Sequence, residues 1–238
     1  MKSFDEIFER AAGRNGGAAA LEARVAEHPA KSKTELASTP DHRWLAEMIR
    51  GVFRAGFNWR VIDNKWPGFE TAFHGFDPAL NAAMSEEEFD AHLKDTGIIR
   101  NAQKVASVRA NGQFMVDLAR EHGSAAKFFA DWPDDDFVGL LEVLKARAAR
   151  CAGETAMRFF RTMGKPAFIT TRDVSAALID AGVLAKPPSG KKDFAAVQAA
   201  FNAWSAETGR DLNALSRILA LSTGPQYDPA EGPPAARR

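Results

Sequence analysis

Apolar residues recur along the chain at intervals of three and four, the spacing of one face of an α-helix, whereas strand-like alternation is almost absent. One apolar stripe lies within residues 41–57 and consists of Leu45, Met48, Ile49, Val52 and Phe53. A second stripe lies within residues 85–123 and consists of Ile99, Val105, Val108, Met115 and Leu118. The pattern predicts an all-α fold in which each helix buries one apolar face.

Capping signals indicate where several helices begin and end. Ser3 precedes Glu6 by three residues, and Ser85 precedes Glu88 by the same interval, which is the spacing of a capping box. Gly97 is expected to end the helix that begins after Ser85. Other helices are expected at about residues 18–26, 41–57, 137–149, 153–163, 170–181, 194–209 and 212–222, and the polar segment 28–41 is expected to be a loop.

The stretch RAGFNWRVIDNKWPGFETAFHGFDP, residues 54–78, is rich in aromatic residues but forms no clean amphipathic pattern. Ile62 and Trp66 continue the helical spacing of the preceding stripe, whereas Trp59 does not fit it. Two interpretations of Trp59 stay open at this point. Its indole either fills the core or forms a platform for a flat ligand.

Composition narrows the possible function classes. Lys and Arg together number 31, as do Asp and Glu, so no global field attracts a polyanion and any nucleic-acid site must be a local patch. A single cysteine, Cys151, excludes an internal disulfide, and the five scattered histidines offer no zinc-ligand spacing. No apolar run reaches the length of a membrane helix or a signal peptide. We therefore expect a soluble, cytoplasmic protein without metal or cofactor.

Residues 157–182 are expected to form a helical hairpin. A helix is followed by a tight turn from Gly164 to Ile169 and by a second helix capped by Thr170 or Thr171. Free N–H groups at the start of the second helix can bind a phosphate, and Lys165 and Arg172 would add positive charge. The alternative is a purely structural junction between two helices.

Four elements, in this order, resemble the DNA-3-methyladenine glycosylase I family, a branch of the helix-hairpin-helix DNA glycosylases. They are AGFNW, FHGFDP, GIIRNAQK and the Gly164 hairpin, within residues 41–183. GIIRNAQK, residues 97–104, is the most specific of them. The resemblance implies a two-lobed, all-α enzyme that removes alkylated adenine from double-stranded DNA in base excision repair, with the lesion flipped into a pocket.

The resemblance also implies particular site residues. Trp59 corresponds to the pocket Trp of the family, and Phe57 and Asn58 beside it are expected to contact the substrate. The hairpin is expected to bind the DNA backbone. The residues expected to contact DNA are Gly164, Lys165, Pro166, Thr170, Thr171, Arg172, Arg100 and Lys104.

Several family features are missing from this chain. It has neither the opening Cys-Trp element nor the closing His and Cys that hold a structural zinc in typical members, so no metal is implied. The family's pocket Tyr is absent, because the only tyrosine is Tyr227 in the tail. Gly51 stands at or beside the family's pocket Glu, and the nearest acid is Glu47, one turn earlier. The acid that assists water attack stays open among Glu47, Asp63, Asp173 and none.

These observations predict a divergent, monomeric DNA glycosylase that excises alkylated purine, with 3-methyladenine as the expected base. A second hypothesis is a DNA-damage-binding protein that kept the fold and lost the chemistry, and a third is a helical scaffold with neither activity. The expected organisation is N-terminal helices in residues 1–40, a glycosylase-like core in 41–183, C-terminal helices in 184–222 and a disordered tail in 223–238.

Overall fold

The computed structural model describes residues 1–27 and 29–224, and its regular elements over those ranges are α-helices and two short 3₁₀ turns, without a strand. The helices are α1 Phe4–Arg14, α2 Ala18–Val25, α3 Lys33–Ser38, α4 Asp41–Arg54, α5 Trp59–Ala72, α6 Pro78–Ala82, α7 Glu86–His92, α8 Ala102–His122, α9 Ala125–Asp131, α10 Phe137–Arg147, α11 Glu154–Met163, α12 Arg172–Asp180, α13 Lys191–Thr208 and α14 Leu212–Thr223. The predicted all-α class is confirmed. The tail that the sequence predicts to be disordered lies, from residue 225 onward, outside the described residues.

Caps account for several helix starts. The Ser3–Glu6 capping box of α1 is present in both directions. A second complete box, Ser32 with Glu35, begins α3 inside the segment that was expected to be a loop, so that expectation is wrong. The Ser85 hydroxyl accepts the Glu88 N–H and caps α7.

The chain divides into two compact units that are not contiguous segments. The first comprises residues 1–30, 134–138 and 166 onward, and the second comprises residues 31–133 and 139–165. The helices at the two ends of the chain, expected as separate regions, therefore lie in one unit. The division also runs through the expected 41–183 core.

Aromatic packing holds the first unit together. The Trp204 indole lies 6.0 Å from the Phe4 ring, and its Nε1 donates to the Lys2 carbonyl. Phe201 stacks on Phe168 at 4.6 Å between ring centroids. Trp204 and Phe201 are both fully buried, so they are core residues on α13.

The second unit is built around α4, which packs against α8 and α11. The whole predicted stripe of α4 is buried, and Trp44 of the same helix packs on Phe129 at 4.9 Å and on Phe159 at 5.8 Å. Gly112 lets α8 approach α6 closely, because a Cβ there would lie 2.9 Å from the Pro78 carbonyl oxygen. Close backbone contact of this kind is available only to glycine.

Gly97 does not end α7, which already stops at His92. The expected helix stop at Gly97 is therefore wrong. The loop at Gly97 packs closely on α5, and it is position 68 that needs glycine there, since a Cβ on Gly68 would lie 2.5 Å from the Gly97 carbonyl oxygen. Among residues 1–27 and 29–224, no helix combines the length and apolarity needed to cross a bilayer.

Candidate functional site

Trp59 is the first residue of α5, directly after a tight turn. α4 ends at Arg54, Gly56 adopts a φ of +74°, and the Asn58 side chain caps α5 by accepting the Arg60 N–H at 3.0 Å. Position Gly56 therefore favours glycine, because other residues are strained at positive φ. The sequence correctly predicts a helix end before Trp59, but the start of a new helix at Trp59 was missed.

The turn exposes large apolar side chains. Phe57 is 40% exposed and Trp59 is 48% exposed, and Val61 is exposed beside them. We call residues 57–61 the aromatic turn. Asn58 is engaged as the α5 cap, so its amide oxygen already has a backbone partner. A cluster of exposed apolar side chains is typical of a binding surface.

Two guanidinium groups lie over the Trp59 ring. The Arg54 Cζ is 5.1 Å from the ring centroid, and the Cζ of Arg158 on α11 is 5.6 Å from it. Arg54 also donates to Asp63 at 2.6 Å, and Arg158 donates through Nε to Glu154 at 2.7 Å. The indole thus contacts the cations of two ion pairs. Arg158 was not predicted from the sequence, because it is almost a hundred residues away from Trp59 and no spacing connects them.

Glu47 is the best-shielded of the acids linked to Arg54. Its side chain is only 14% exposed, and its Oε atoms lie 3.3 Å from Arg50 Nη1 and 4.0 Å from Arg54 Nη1. Burial raises the pKa of the Glu47 carboxyl, and the two arginines partly offset that rise. Arg54 links this carboxylate to both Asp63 and Trp59.

The other predicted acids differ from Glu47. Asp63 is largely exposed and paired with Arg54, whereas Asp173 belongs to the first unit, where its carboxylate lies beside Gly224. Gly51, at or beside the family Glu position, faces α11, because a Cβ there would lie 3.5 Å from the Thr155 methyl group.

Lys104 of the GIIRNAQK motif is buried rather than presented to solvent. Its ammonium donates to the Phe53 carbonyl at 3.0 Å and to the Ala55 carbonyl at 2.7 Å, and it lies 4.2 Å from the centre of the Phe57 ring. Burial lowers the pKa of Lys104 to about 8, and Arg150 contributes to the shift. The burial contradicts the expected phosphate contact by Lys104. Arg100, four residues earlier, is exposed.

Lys165 at the hairpin turn is also buried, which contradicts its expected phosphate contact. Its side chain is almost fully enclosed, and Nζ donates to the Trp132 carbonyl at 2.6 Å. Gly164 has a φ of +92° and ends α11, and its own carbonyl accepts the Lys31 N–H at 2.8 Å. The Gly164 N–H donates to the Arg161 carbonyl, so it is used inside the protein.

Backbone N–H groups of the hairpin residues in the first unit, from residue 166 onward, also have hydrogen-bond partners within the protein. The N–H groups of Ala167 and Ile169 donate to Asn213 Oδ1 at 2.9 Å and to Ser216 Oγ at 3.1 Å. Thr171 caps α12 by accepting the Val174 N–H. The sequence could not reveal these partners, because Asn213 and Ser216 lie in α14, over forty residues away.

The remaining predicted hairpin residues differ in their accessibility. Pro166 is buried and has no N–H, and Thr170 is half-buried. Arg172, at the start of α12, is exposed. Of the charges expected at the hairpin, Arg172 is therefore the one that solvent reaches.

The family model described as methyladenine glycosylase matches residues 37–160, which is more than half of the chain. This chain belongs to the methyladenine glycosylase family. The match includes α4, the aromatic turn, the GIIRNAQK segment and most of α11, so the surroundings of Trp59 lie inside the family region.

Two curated relatives are named as DNA-3-methyladenine glycosylases. DNA-3-methyladenine glycosylase 1 of Escherichia coli (strain K12) is 35% identical over 80 residues, which are 33% of this chain and 42% of the relative. DNA-3-methyladenine glycosylase of Haemophilus influenzae (strain ATCC 51907 / DSM 11121 / KW20 / Rd) is 32% identical over 60 residues, which are 25% of this chain and 32% of the relative. The chain spans less than half the length of each of these curated relatives.

A solved structure shares the fold. The structure described as the structural basis of 3-methyladenine recognition by 3-methyladenine DNA glycosylase I (TAG) from Staphylococcus aureus aligns with a TM-score of 0.50 at 18% identity. The alignment covers 66% of this chain and 90% of that chain. At this identity the likeness shows the fold alone, and it confirms the predicted helical DNA glycosylase fold.

Proposed function

We propose that this chain is a DNA glycosylase that excises alkylated purine, chiefly 3-methyladenine, from double-stranded DNA. The observation that carries the proposal is the exposed Trp59 indole at the start of α5, inside the region that matches the methyladenine glycosylase family. The curated relatives are named for the same activity. An exposed aromatic platform, linked through Arg54 to the shielded carboxylate of Glu47, suits a flipped base.

The energetics of base flipping favour such a platform. Extruding a base costs a few kcal/mol, and least for a damaged base, while stacking on an aromatic ring returns roughly 1 to 3 kcal/mol. A cationic base over an indole face gains about 0.5 to 2 kcal/mol more. A base that stacks on Trp59 meets Arg54 and Arg158, so it must displace a guanidinium or lie beside it. Asp63 and Glu154 balance those two charges.

We propose that Glu47 is the acid that supports bond cleavage. N3-alkylated adenine is cationic and leaves readily, so the protein has chiefly to stabilise positive charge developing on the sugar, as in other glycosidic cleavages. A carboxylate acts most strongly from a site with little water, and Glu47 is better shielded than Asp63. Glu47 would also orient the attacking water as a general base.

DNA binding is proposed to use the exposed cations rather than the buried ones. Arg100 and Arg172 are exposed, whereas Lys104 and Lys165 are not. If Arg172 contacts a phosphate, Arg172→Ala should weaken binding equally on damaged and intact duplex. The slope of log affinity against log salt should fall by about 0.9 for the lost contact. An unchanged slope would place the DNA backbone elsewhere.

A second candidate function is recognition of damaged DNA without catalysis. Gly51, at or beside the family's Glu position, favours it, because glycine supplies no carboxylate there. Incubation with methylated duplex and chromatography of the released bases separates the two functions. Release of 3-methyladenine that is lost in Glu47→Gln supports the glycosylase. Tight binding of methylated duplex without release, in wild type and variant alike, supports the second candidate.

A further inference from the structure

We propose that Lys104 is a positioning residue that fixes the turn between α4 and α5 and thereby holds the Trp59 indole in place. The inference rests on the proposed function for its consequence, but its geometry stands on the contacts of the second unit alone. Lys104 is 4% exposed, and its ammonium meets two carbonyls and the rings of Phe53 and Phe57 in the segment that leads to Trp59.

The carbonyl groups that Lys104 binds lie at the C-terminal end of a helix. α4 ends at Arg54, so the carbonyls of its last turn have no later helical N–H to accept. The ammonium donates hydrogen bonds to the carbonyls of Phe53 and Ala55, which lie on either side of that end. A cation at a helix C-terminus is also favoured by the helix dipole. Lys104 therefore acts as a cap for α4 supplied from a different helix.

Lys104 lies at an electrostatically unfavourable position of its own helix, α8. It lies in the first turn of α8, and its N–H donates to the Asn101 side chain that caps that helix. A positive charge in the first turn opposes the helix dipole, and lysine is almost never buried unless it is paired. Lys104 therefore makes two unfavourable contributions to the folding free energy, one from its charge opposing the α8 dipole and one from burial of that charge. The contacts to Phe53, Ala55 and Phe57 are what offset them.

The geometry disfavours the other roles that a buried lysine can have. A phosphate cannot reach an ammonium that is enclosed and already donates to two carbonyls, and a nucleophile needs an amine lone pair pointing toward the substrate.

The Phe57 ring lies 4.2 Å from the ammonium and belongs to the aromatic turn, two residues before Trp59. Fixing Phe53, Ala55 and Phe57 together leaves Asn58 and its cap to set the direction of the indole.

The arrangement makes the turn sensitive to alkaline pH. The pKa of Lys104 is lowered to about 8 by burial, with Arg150 as the charged group that adds to the shift. Arg150 is itself held by Gln103 at 2.9 Å. Since the folded-state pKa lies below the ordinary value, the ammonium is present below about pH 8 and is lost as the pH rises through it. The cap on α4 then weakens, because a neutral amine is a poorer donor than an ammonium.

Fluorine NMR on protein labelled with fluorotryptophan tests the inference, and the spectrum of Trp59→Phe identifies the Trp59 signal. We expect Lys104→Met to shift or broaden that signal and to leave the Trp66 signal unchanged. Release of 3-methyladenine should fall about tenfold or more in kcat/KM, since small misplacements of a site group have large effects on rate. Affinity for undamaged duplex should not change. Lys104→Arg, which keeps a charged donor, should restore part of the lost rate.

Lys65→Met is the control, because Lys65 also donates to a carbonyl, that of Thr96, which lies outside the aromatic turn. It should change neither the Trp59 signal nor the rate. If Lys104→Met does not fold, the wild-type protein decides, since its Trp59 signal should change with a midpoint near pH 8. An unmoved Trp59 signal in a folded Lys104→Met overturns the inference, as does a wild-type Trp59 signal that stays constant as the pH rises from below to well above about 8. Absence of base release from the wild type would instead refute the proposed function.

Discussion

Trp59 and Trp66 lie in the same helix, about two turns apart, yet one is exposed and the other is buried. Trp66 is 9% exposed and stacks on Phe69 at 5.4 Å and on Phe76 at 5.1 Å, and its Nε1 donates to Glu70 at 2.9 Å. Both indoles have guanidiniums over them, since the Arg50 Cζ is 4.1 Å from the centroid of the Trp66 ring, and Arg54 and Arg158 lie over the Trp59 ring. Trp59, however, is 48% exposed. One indole is part of the core, and the other is exposed to solvent.

The difference does not come from helical phase. Residues seven apart lie on nearly the same side of a helix, so periodicity alone would bury both tryptophans or neither. The difference in exposure between the two tryptophans comes from the segments at the two ends of α5. Beyond α5, His74, Gly75 and Phe76 adopt positive φ and bring the Phe76 ring onto Trp66. Before α5, the turn at Gly56 leaves Trp59 at the first helical position.

The largest expected effect is on stability at Trp66. We expect Trp66→Ala to lower the free energy of unfolding by about 3 to 5 kcal/mol, since the change removes a buried ring and leaves its aromatic partners facing a cavity. Trp59→Ala should cost under about 1 kcal/mol, because an exposed side chain gives up little burial. Denaturant unfolding of both variants measures the contrast. Equal losses would mean that Trp59 is also core.

A smaller effect is expected at Glu47, the acid linked to Trp59 through Arg54. Glu47→Gln keeps the size and the hydrogen bonds and removes the charge, so kcat for 3-methyladenine release should fall roughly a hundredfold. Because burial raises the pKa of Glu47, the wild-type rate should decline on the acid side at a higher pH than an ordinary carboxylate would give. The profile of rate against pH in both proteins measures this. Asp63→Asn is the control, and a larger loss there would assign the role to Asp63.

The smallest expected effect concerns the charges over the Trp59 ring. Arg158→Gln removes one guanidinium from Trp59 and should raise the preference for a cationic base over a neutral one about two- to fivefold, the value of one weak cation–π contact. Stability should stay within about 0.5 kcal/mol, because the ion pair with Glu154 is exposed. Competition between 3-methyladenine and hypoxanthine in one duplex measures the preference. A lower preference for the cation would show that Arg158 helps to bind it.

Local signals in the sequence predicted much of the helical fold. The Ser3 cap and the α4 stripe follow from short-range spacing, and both agree with the structure. The α5 start escaped prediction because its signals are a glycine turn and the Asn58 cap rather than an apolar period.

The candidate site was predictable only in part, because the burial of a charge depends on distant partners. Lys104 and Lys165 were expected at the surface, but the carbonyls that hold them, Ala55 and Trp132, are 49 and 33 residues away. The contact of Arg158 with Trp59 was likewise not predictable, because Arg158 lies in α11, far from Trp59 in the sequence. Motif position identified Trp59, whereas only the fold identifies the groups around it.

The most direct measurement of the central claim is base release by Trp59→Ala on methylated duplex. We predict that this variant keeps the wild-type melting behaviour and its affinity for undamaged duplex, because phosphate contacts supply that affinity. It should lose about 5- to 150-fold in kcat/KM for 3-methyladenine, the equivalent of roughly 1 to 3 kcal/mol of stacking. Trp59→Phe should keep part of that rate. A Trp59→Ala protein that melts far below wild type while its folded fraction releases 3-methyladenine at the normal rate would contradict the proposed role of Trp59.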